Sequence, residues 1–453
     1  MITDKEFTFV REALQMALQA GARHARATLS VSEEDLVATL DGEVDRVTHC
    51  ADRSLSLALF VDGRFGSYST NKLERTALED FIQRAVAATR MVAEDPCRRL
   101  PDPARCCHDA LTGDELGLVD PARIRLTPAD RQAVALGASV FPAATNGESS
   151  PVEAAVPYQV ISEEGEYSDS IYETVVMDTN GLCCAHRETS FDYGVEITVE
   201  SGGEKYSGYW WDASSHRDAL DAAACGRKAL QRAVAQIGSE PAPSGRYTAV
   251  IDAEMASKLV SPLLRALSGY AIQQNNSFLM DSLGQRRFPE GLTILDVPRI
   301  PGQTCSKYFD SEGIATYEAP IVERGEVKTY FINTYMAGKL RMAPTVEDAT
   351  RPKVLPWPCA GLDRDAILRR CGSGILVTDF NGGNSNPVTG DFSYGIEGFL
   401  FEDGRIVRPV SGMLMTGNFL DLWSRLLAAG DDARPCQTKL VPTLAFGEVD
   451  FSG

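Results

Sequence analysis

Asn275–Gly338, NNSFLMDSLGQRRFPEGLTILDVPRIPGQTCSKYFDSEGIATYEAPIVERGEVKTYFINTYMAG, carries the strongest fold signal in the chain. Short apolar runs alternate in it with turn residues. Ile314–Val322 and Val327–Ile332 flank Glu323-Arg324-Gly325-Glu326, a spacing that predicts a β-hairpin with glycine at its tight turn. Just upstream, Asp310, Ser311, Glu312 and Gly313 have the composition of a capped turn, because Asp and Ser bond their own backbone and Gly tolerates its dihedrals. Asp310 and Glu312 read either as that turn or as polar contacts in a substrate groove.

Outward from this stretch, Glu240-Pro-Ala-Pro-Ser-Gly245 is the clearest linker, two prolines and a glycine before an apolar run, Tyr247–Ile251. It separates an N-terminal domain, 1–239, from a C-terminal domain, 246–453. The latter is strand-rich, with helices expected near Glu254–Ile272, Arg364–Arg370 and Asn418–Ala428. Strands with marginal helices predict an α+β fold whose C-terminal domain is a curved, barrel-like antiparallel sheet.

The N-terminal half predicts two-layer α/β structure. Thr3 and Glu6 have capping-box spacing ahead of Phe7, Val10, Leu14 and Ala17 on one helical face. Strands follow at Ala27–Val31, Leu36–Leu40 and Ser54–Phe60, with turns at Asp41-Gly42 and Asp62-Gly63, then a helix over Glu74–Val92. Prolines at 96, 101 and 103 mark a boundary loop over Asp95–Arg105, and a sub-boundary is expected within 95–150. A short helix is predicted at Pro128–Ala138 and a breaker-rich linker at Ala143–Pro151. Strand signals return at Val152–Ile161, Ile171–Asp178, Gly181–Arg187 and Gly194–Glu200, ahead of a helix over His216–Ile237. The two halves repeat the order strand, glycine turn, long helix, which reads either as internal duplication or as shared architecture alone.

Composition narrows function. With 44% hydrophobic and 24% charged residues over 453 positions, the chain is globular and long enough for roughly two to four domains of about 150 residues. A net charge of -19 opposes a phosphate backbone or an anionic membrane surface, so neither nucleic acid nor membrane is an expected partner. Eleven cysteines and an acidic, interrupted N-terminus without a signal-peptide pattern point to a reducing, cytoplasmic setting. Neither a P-loop, a dinucleotide glycine fingerprint nor a G-x-S-x-G elbow is present.

Ser277-Phe278-Leu279, Phe309–Gly313, Asn333–Leu340, Gly372–Asp379, Asn386–Gly395 and Val410–Leu420 together resemble the C-terminal domain of the TldD/TldE (PmbA) family, also called modulators of DNA gyrase. The N-terminal half follows the family in element order. One departure is Ala343–Ala349 after Met342, where the family carries a different loop. The resemblance implies a protease built from a zinc-bearing subunit and a related subunit without metal, linked to antitoxin turnover and peptide-antibiotic maturation. In the metal-bearing branch a helix carries His-Glu-x-x-x-His: two imidazoles and a water hold the zinc, the glutamate serves that water, and a cysteine near the C-terminus is a further ligand.

Counted back without gaps from Ser277, those helix positions fall on Val260, Ser261 and Arg265. Valine has no lone pair to donate, serine is no general base, and arginine brings a cation to a cation. His24, His49, His108, His186 and His216 are the only histidines, so none lies beyond 216. The chain therefore resembles the TldE subunit, with no catalytic or metal residue and no cofactor of its own. The resemblance implies a TldD-like metal-bearing partner that holds the zinc, unfolded peptide as substrate, with β-addition to strand edges as one way of holding it, and a homodimer as an option when the chain is alone.

Other groupings have bland readings beside sharp ones. Cys436 falls where the metal-bearing branch keeps its cysteine, and reads as an unrelated thiol or a vestige of that ligand. Cys106-Cys107-His108 and Cys183-Cys184 with His186 read as core thiols and a surface histidine, or as a zinc site, although adjacent strand residues point to opposite faces. Phe380-Asn381-Gly382-Gly383-Asn384 reads as a flexible glycine-rich turn, its Asn381, Gly382, Gly383 and Asn384 being groove candidates through close backbone approach. Two alternatives stay open: a stand-alone hydrolase with a thiol or unconventional metal site in the N-terminal half, and a binding scaffold unrelated to proteolysis.

Overall fold

In the computed structural model, which describes residues 2–145, 152 and 156–453, the N-terminal half is built on one six-stranded antiparallel sheet. Helix α1 (Asp4–Gln19) opens the chain through the expected capping box between Thr3 and Glu6. Strands β1 (His24–Leu40), β2 (Glu43–Val61) and β3 (Arg64–Thr70) then meander through two tight turns, Asp41-Gly42 and Asp62-Gly63, all four residues at positive φ. Helix α2 (Arg75–Thr89) closes this unit. After α3 (Pro128–Gly137) and α4 (Phe141–Thr145), β4 (Gln159–Asp178), β5 (Cys183–Ser201), β6 (Glu204–Ser214) and α5 (Ala222–Ala235) repeat the pattern. The sheet order is β3-β2-β1-β4-β5-β6, so the two meanders join through β1 and β4.

Strand bounds change here: the runs Val152–Ile161 and Ile171–Asp178 share β4, Gly181–Arg187 and Gly194–Glu200 share β5, and Ser54–Phe60 is the end of the longer β2. Ala27–Val31 and Leu36–Leu40 are one strand, because Ser32–Asp35 stay in register with both β2 and β4 despite their polarity. The expected linker Ala143–Pro151 begins inside α4, and from residue 146 it lies outside the described residues, as does part of the Val152–Ile161 run, whose strand starts at Gln159.

Period-two alternation makes this sheet two-sided. Leu55, Leu57, Leu59 and Val61 of β2 and Ala25, Ala27 and Leu29 of β1 are buried beneath α1 and α2, while Tyr193, Val195 and Ile197 of β5 pack under α5. Gly208 lets α5 sit directly on β6: a Cβ there would lie 2.3 Å from the Ala229 carbonyl oxygen. The other face carries many small and polar side chains, with Tyr172, Val176, Tyr209 and Trp211 among them.

The C-terminal half runs β7 (Gly245–Ile251), α6 (Ala253–Ala266), α7 (Gly269–Gln273), β8 (Ile294–Asp296), β9 (Ala319–Glu323), β10 (Glu326–Val327), α8 (Thr334–Leu340) and β11 (Pro352–Val354). It continues with α9 (Arg364–Cys371), β12 (Gly374–Ser385), β13 (Asp391–Glu402), β14 (Arg405–Asn418), α10 (Phe419–Ser424), β15 (Leu426–Ala429) and β16 (Leu444–Ser452). The order β14-β13-β12-β7-β16, with β14 also paired to β16, closes a five-stranded barrel, and β15 lies outside on β16. The fold is α+β with a barrel in its C-terminal region. The predicted hairpin forms as β9 and β10 around Arg324-Gly325, shorter than expected because Lys328–Ile332 leave the ladder.

The helix expected over Asn418–Ala428 ends at Ser424. Asn418 caps it (Leu420 N to Oδ1, 3.0 Å), but Leu426, Ala428 and Ala429 pair with β16 and are buried there. Trp423, fully buried, meets Phe446 edge-on at 5.2 Å and seals the barrel at this end.

Candidate functional site: a cleft between the open sheet face and the barrel

The open face of the six-stranded sheet looks onto loops of the C-terminal half across linked cavities. One, about 750 Å³, has a floor of Arg26, Thr28, Ser56, Ser67, Thr174, His186 and Glu188 and a roof from Cys305, Lys307, Asp310 and Glu347–Thr350. Cys305 and Thr438 are shared with a second, of about 450 Å³, walled by Ser190, Asp192 and Trp211 of the sheet, Glu254, Ser257 and Lys258 of α6, and Cys436–Lys439. Asp192 and Trp211 lead on to a third, about 690 Å³ and rich in carboxylates, including Glu164, Glu166, Glu196 and Asp212. Hydroxyls and charges share the lining of this cleft with Tyr172, Val176, Phe309, Trp211 and Met255, a mixture that offers both hydrogen bonds and apolar contact along an extended chain.

Asp310 is in this wall. Its Oδ1 accepts from the backbone N–H of Glu312 (2.9 Å) and Ile314 (3.0 Å), and its Oδ2 from that of Glu347 (3.0 Å). Burial pushes its carboxyl up to about 6 against those three donors. Glu312 turns away from the cavity: Oε2 accepts from Thr334 N (2.8 Å) at the start of α8, and its carbonyl accepts from Arg26 (3.2 Å). The Asp-Ser-Glu-Gly segment is thus a turn, buried at Glu312 and Gly313, that carries one carboxyl into the cleft. Gly313 (φ +83) has no room for a side chain, since a Cβ would be 2.3 Å from Leu182.

Asn381–Asn384 is not a flexible turn. The four residues belong to β12, where the register with β13 slips between Phe380 and Gly383. A Cβ on Gly383 would lie 2.1 Å from the Ser393 carbonyl oxygen, so the close approach is to the neighbouring strand. Asn381 donates to Glu397 (3.0 Å), and none of the four lines the three cavities.

Helix α6 carries the positions where the resemblance seeks metal ligands. Asp252 caps it, accepting from Glu254 N (3.0 Å), and Glu254, Ser257 and Lys258 face the second cavity. Val260 is fully buried in the core of the C-terminal half, the Ser261 hydroxyl donates to Ser257 O (2.8 Å), and Arg265 is exposed. Cys436 does reach the same cavity, but burial pushes its thiol up to about 11, with Arg434 opposing. These side chains do not fit a zinc ion. Among the described residues the His, Cys, Asp and Glu side chains that converge closely enough for a metal are Glu33, Asp35 and His49. Asp35 there is already held by Arg131 (2.8 Å) and His49 (2.9 Å), and Glu33 by Arg123 (3.3 Å), an ion network tying α3 to the sheet.

The cysteine pairs make core. Cys106, Cys107 and Cys184 pack with Val176, Leu182, Phe309 and Ile314, while Cys183 points to the helix side of the sheet. His108 is exposed, whereas His186 is buried and lies 3.5 Å from Glu188. The wall of the sheet was not picked out from sequence by any motif. Its signal was the alternation of Ser, Thr and charged residues with buried leucines and alanines in β1 and β2.

Residues 27–89, 131–237 and 244–453 match, in order, the profiles of PmbA/TldA metallopeptidase domain 1, central domain and C-terminal domain. The chain belongs to the PmbA/TldD metallopeptidase family. It is 27% identical to metalloprotease PmbA of Escherichia coli O157:H7, over 96% of this chain and 95% of that one. A solved structure of a proposed modulator of DNA gyrase from Bacteroides thetaiotaomicron superposes with a TM-score of 0.92 at 36% identity, all of both chains being covered. TldE from Thermococcus kodakarensis shares the fold, with a TM-score of 0.82 at 18% identity over 98% of this chain and 100% of that one. Among the described residues, no helix is long and apolar enough to cross a membrane.

Proposed function

We propose that this chain is the metal-free, TldE-like subunit of a two-part zinc protease, acting on unfolded peptide together with a TldD-like subunit that holds the metal. The observation that carries the reading is the set Val260, Ser261 and Arg265 on α6, which supplies neither ligand nor base beside a cleft of the right character. The chain then contributes a polar wall along which an extended peptide lies, its backbone bonded by side chains such as Ser56, Ser67 and Thr174. A reducing, cytoplasmic setting agrees with eleven unpaired cysteines.

The test is elemental analysis of the chain purified without chelator, followed by mixing with a metal-bearing homologue. Zinc near zero for the chain alone, with a stable complex and chelator-sensitive peptide cleavage in the mixture, is the expected result. One zinc per chain, or no association with any such homologue, overturns it.

A second reading, a thiol hydrolase, has one observation in its favour: Cys305, His186 and Glu188 share the cavity of about 750 Å³.

A further inference from the structure

The second cavity, of about 450 Å³, is lined by two lysines from different elements, Lys258 of α6 and Lys439 of the segment before β16. Lys258 donates to the Phe380 carbonyl (3.2 Å), and among the described residues neither ammonium has a carboxylate partner. The acids of the same lining are engaged elsewhere. Glu254 pairs with Arg434 and the Trp211 indole, while Asp192 accepts from the Ser190 hydroxyl at 2.6 Å and burial pushes its carboxyl up. Gln437, more than nine-tenths buried in this lining, donates through Nε2 to the Glu254 carbonyl (3.2 Å), and its Oε1 has no partner. Two cations without a counter-ion and a buried acceptor without a donor, all in one cavity, are groups that a ligand carrying both an anion and an N–H would satisfy.

We propose that this cavity binds the C-terminal carboxylate of a peptide, with Lys258 and Lys439 holding the carboxylate and Gln437 Oε1 accepting from the last peptide N–H. A chain end carries that carboxylate and that N–H on one α-carbon. In an aspartate or glutamate the side-chain carboxylate stands one or two methylenes further away, so the terminal group fits the set better.

The neighbouring cavities give the bound chain a direction. Cys305 and Thr438 are common to this cavity and the one of about 750 Å³, so the body of the peptide leads there, towards Ser56, Ser67 and Thr174. On the other side Glu164, Glu166, Glu196 and Asp212 repel a carboxylate and keep it beside the lysines. The inference rests on the peptide-binding part of the proposed function and adds to it the place where the chain ends.

The experiment is fluorescence anisotropy on the full chain alone, with a short N-acetylated peptide of alanine and serine labelled near its N-terminus. Three forms are compared: the free C-terminal acid, the C-terminal amide, and the amide with one internal glutamate. The acid is expected to bind at least about tenfold more tightly than either amide, and to lose that advantage as salt rises. Lys258→Gln and Lys439→Gln should each weaken the acid by about fivefold or more and leave the amides within about twofold. Lys258 is exposed and Lys439 half-buried, so both variants should fold, with unchanged circular dichroism. Acid and amide bound equally, or an advantage of the acid that survives both substitutions, overturns the proposal and leaves the two-subunit reading standing. An internal-glutamate amide that matches the acid assigns the lysines to acidic side chains and overturns the terminal assignment. Failure to bind any of the three overturns the proposal together with the peptide-binding wall, whereas failure to associate with a metal-bearing homologue strikes the two-subunit reading alone.

Discussion

Glu254 and Arg434 form an ion pair across the second cavity, and the same carboxylate accepts the indole N–H of Trp211 at 2.6 Å. The pair joins α6, β6 and the segment before β16, and Arg434 also donates to the Trp211 carbonyl (2.6 Å) and lies over the Trp210 ring at 4.3 Å. It thereby fixes the distance between the sheet and the barrel. Glu254 is buried, so removing it leaves the indole N–H without its acceptor and the guanidinium with only the Trp211 carbonyl and Asp212. Glu254→Ala should cost about 3–5 kcal/mol in urea unfolding and shift tryptophan fluorescence. Glu254→Gln, which keeps an acceptor for Trp211, should cost less.

Asp310 makes stability depend on pH in an unusual direction. Its folded value, about 6, lies above the ordinary aspartate value of 3.8, so the folded chain holds the proton more tightly than the unfolded chain does. Between about pH 4 and 6 its contribution to stability falls as pH rises, by ~3 kcal/mol over the window, and above about 6 the full cost of the buried charge is present. Asp310→Asn should remove this slope while losing the acceptor for Glu347 N–H. Unfolding midpoints of both proteins at pH 4.5 and 7 check it: an identical pH dependence refutes the assignment.

Much of the fold was legible because it is locally encoded. Asp41-Gly42, Asp62-Gly63 and Arg324-Gly325 are turns whose positive φ the sequence announces, and Thr3 with Glu6 marks a helix start. Closure of the barrel was less so, since β14 meets β16 through Leu414–Thr416 and Asp450–Ser452, and no local pattern records such a contact. Leu426–Ala429 looked helical for the same reason: its partner strand is distant in sequence. At the site, Asp310 was legible as a turn residue, but its burial comes from Glu347 and the sheet beneath. Gly382 and Gly383 advertised backbone freedom without saying that a neighbouring strand uses it.

Val260 and Arg265 test whether the α6 positions could return to metal binding. Valine 260 has no exposed surface and packs in the core, so an imidazole there is both too large and without a hydrogen-bond partner. Val260→His should lower stability by about 2–3 kcal/mol, whereas Arg265→His on the exposed side of the helix should change it by less than about 0.5 kcal/mol. Equal effects in thermal unfolding would show that α6 sits differently from this description.

Cys305 decides between the two readings of the cleft. It shares the cavity of about 750 Å³ with His186 and Glu188, and its backbone has φ +64, a conformation unusual for cysteine. His186 is nine-tenths buried and Glu188 is held below the usual carboxylate range: burial raises it, but His186 and Lys307 outweigh that. A histidine oriented by a carboxylate is the arrangement that serves a thiol nucleophile as base. If the metal-bearing partner performs the chemistry, Cys305→Ala should leave peptide cleavage by the mixed complex within about twofold, and alkylation of the chain before mixing should do the same. Loss of more than about a hundredfold in either case, with the complex still formed, would move the reaction into this chain and make Cys305 its nucleophile.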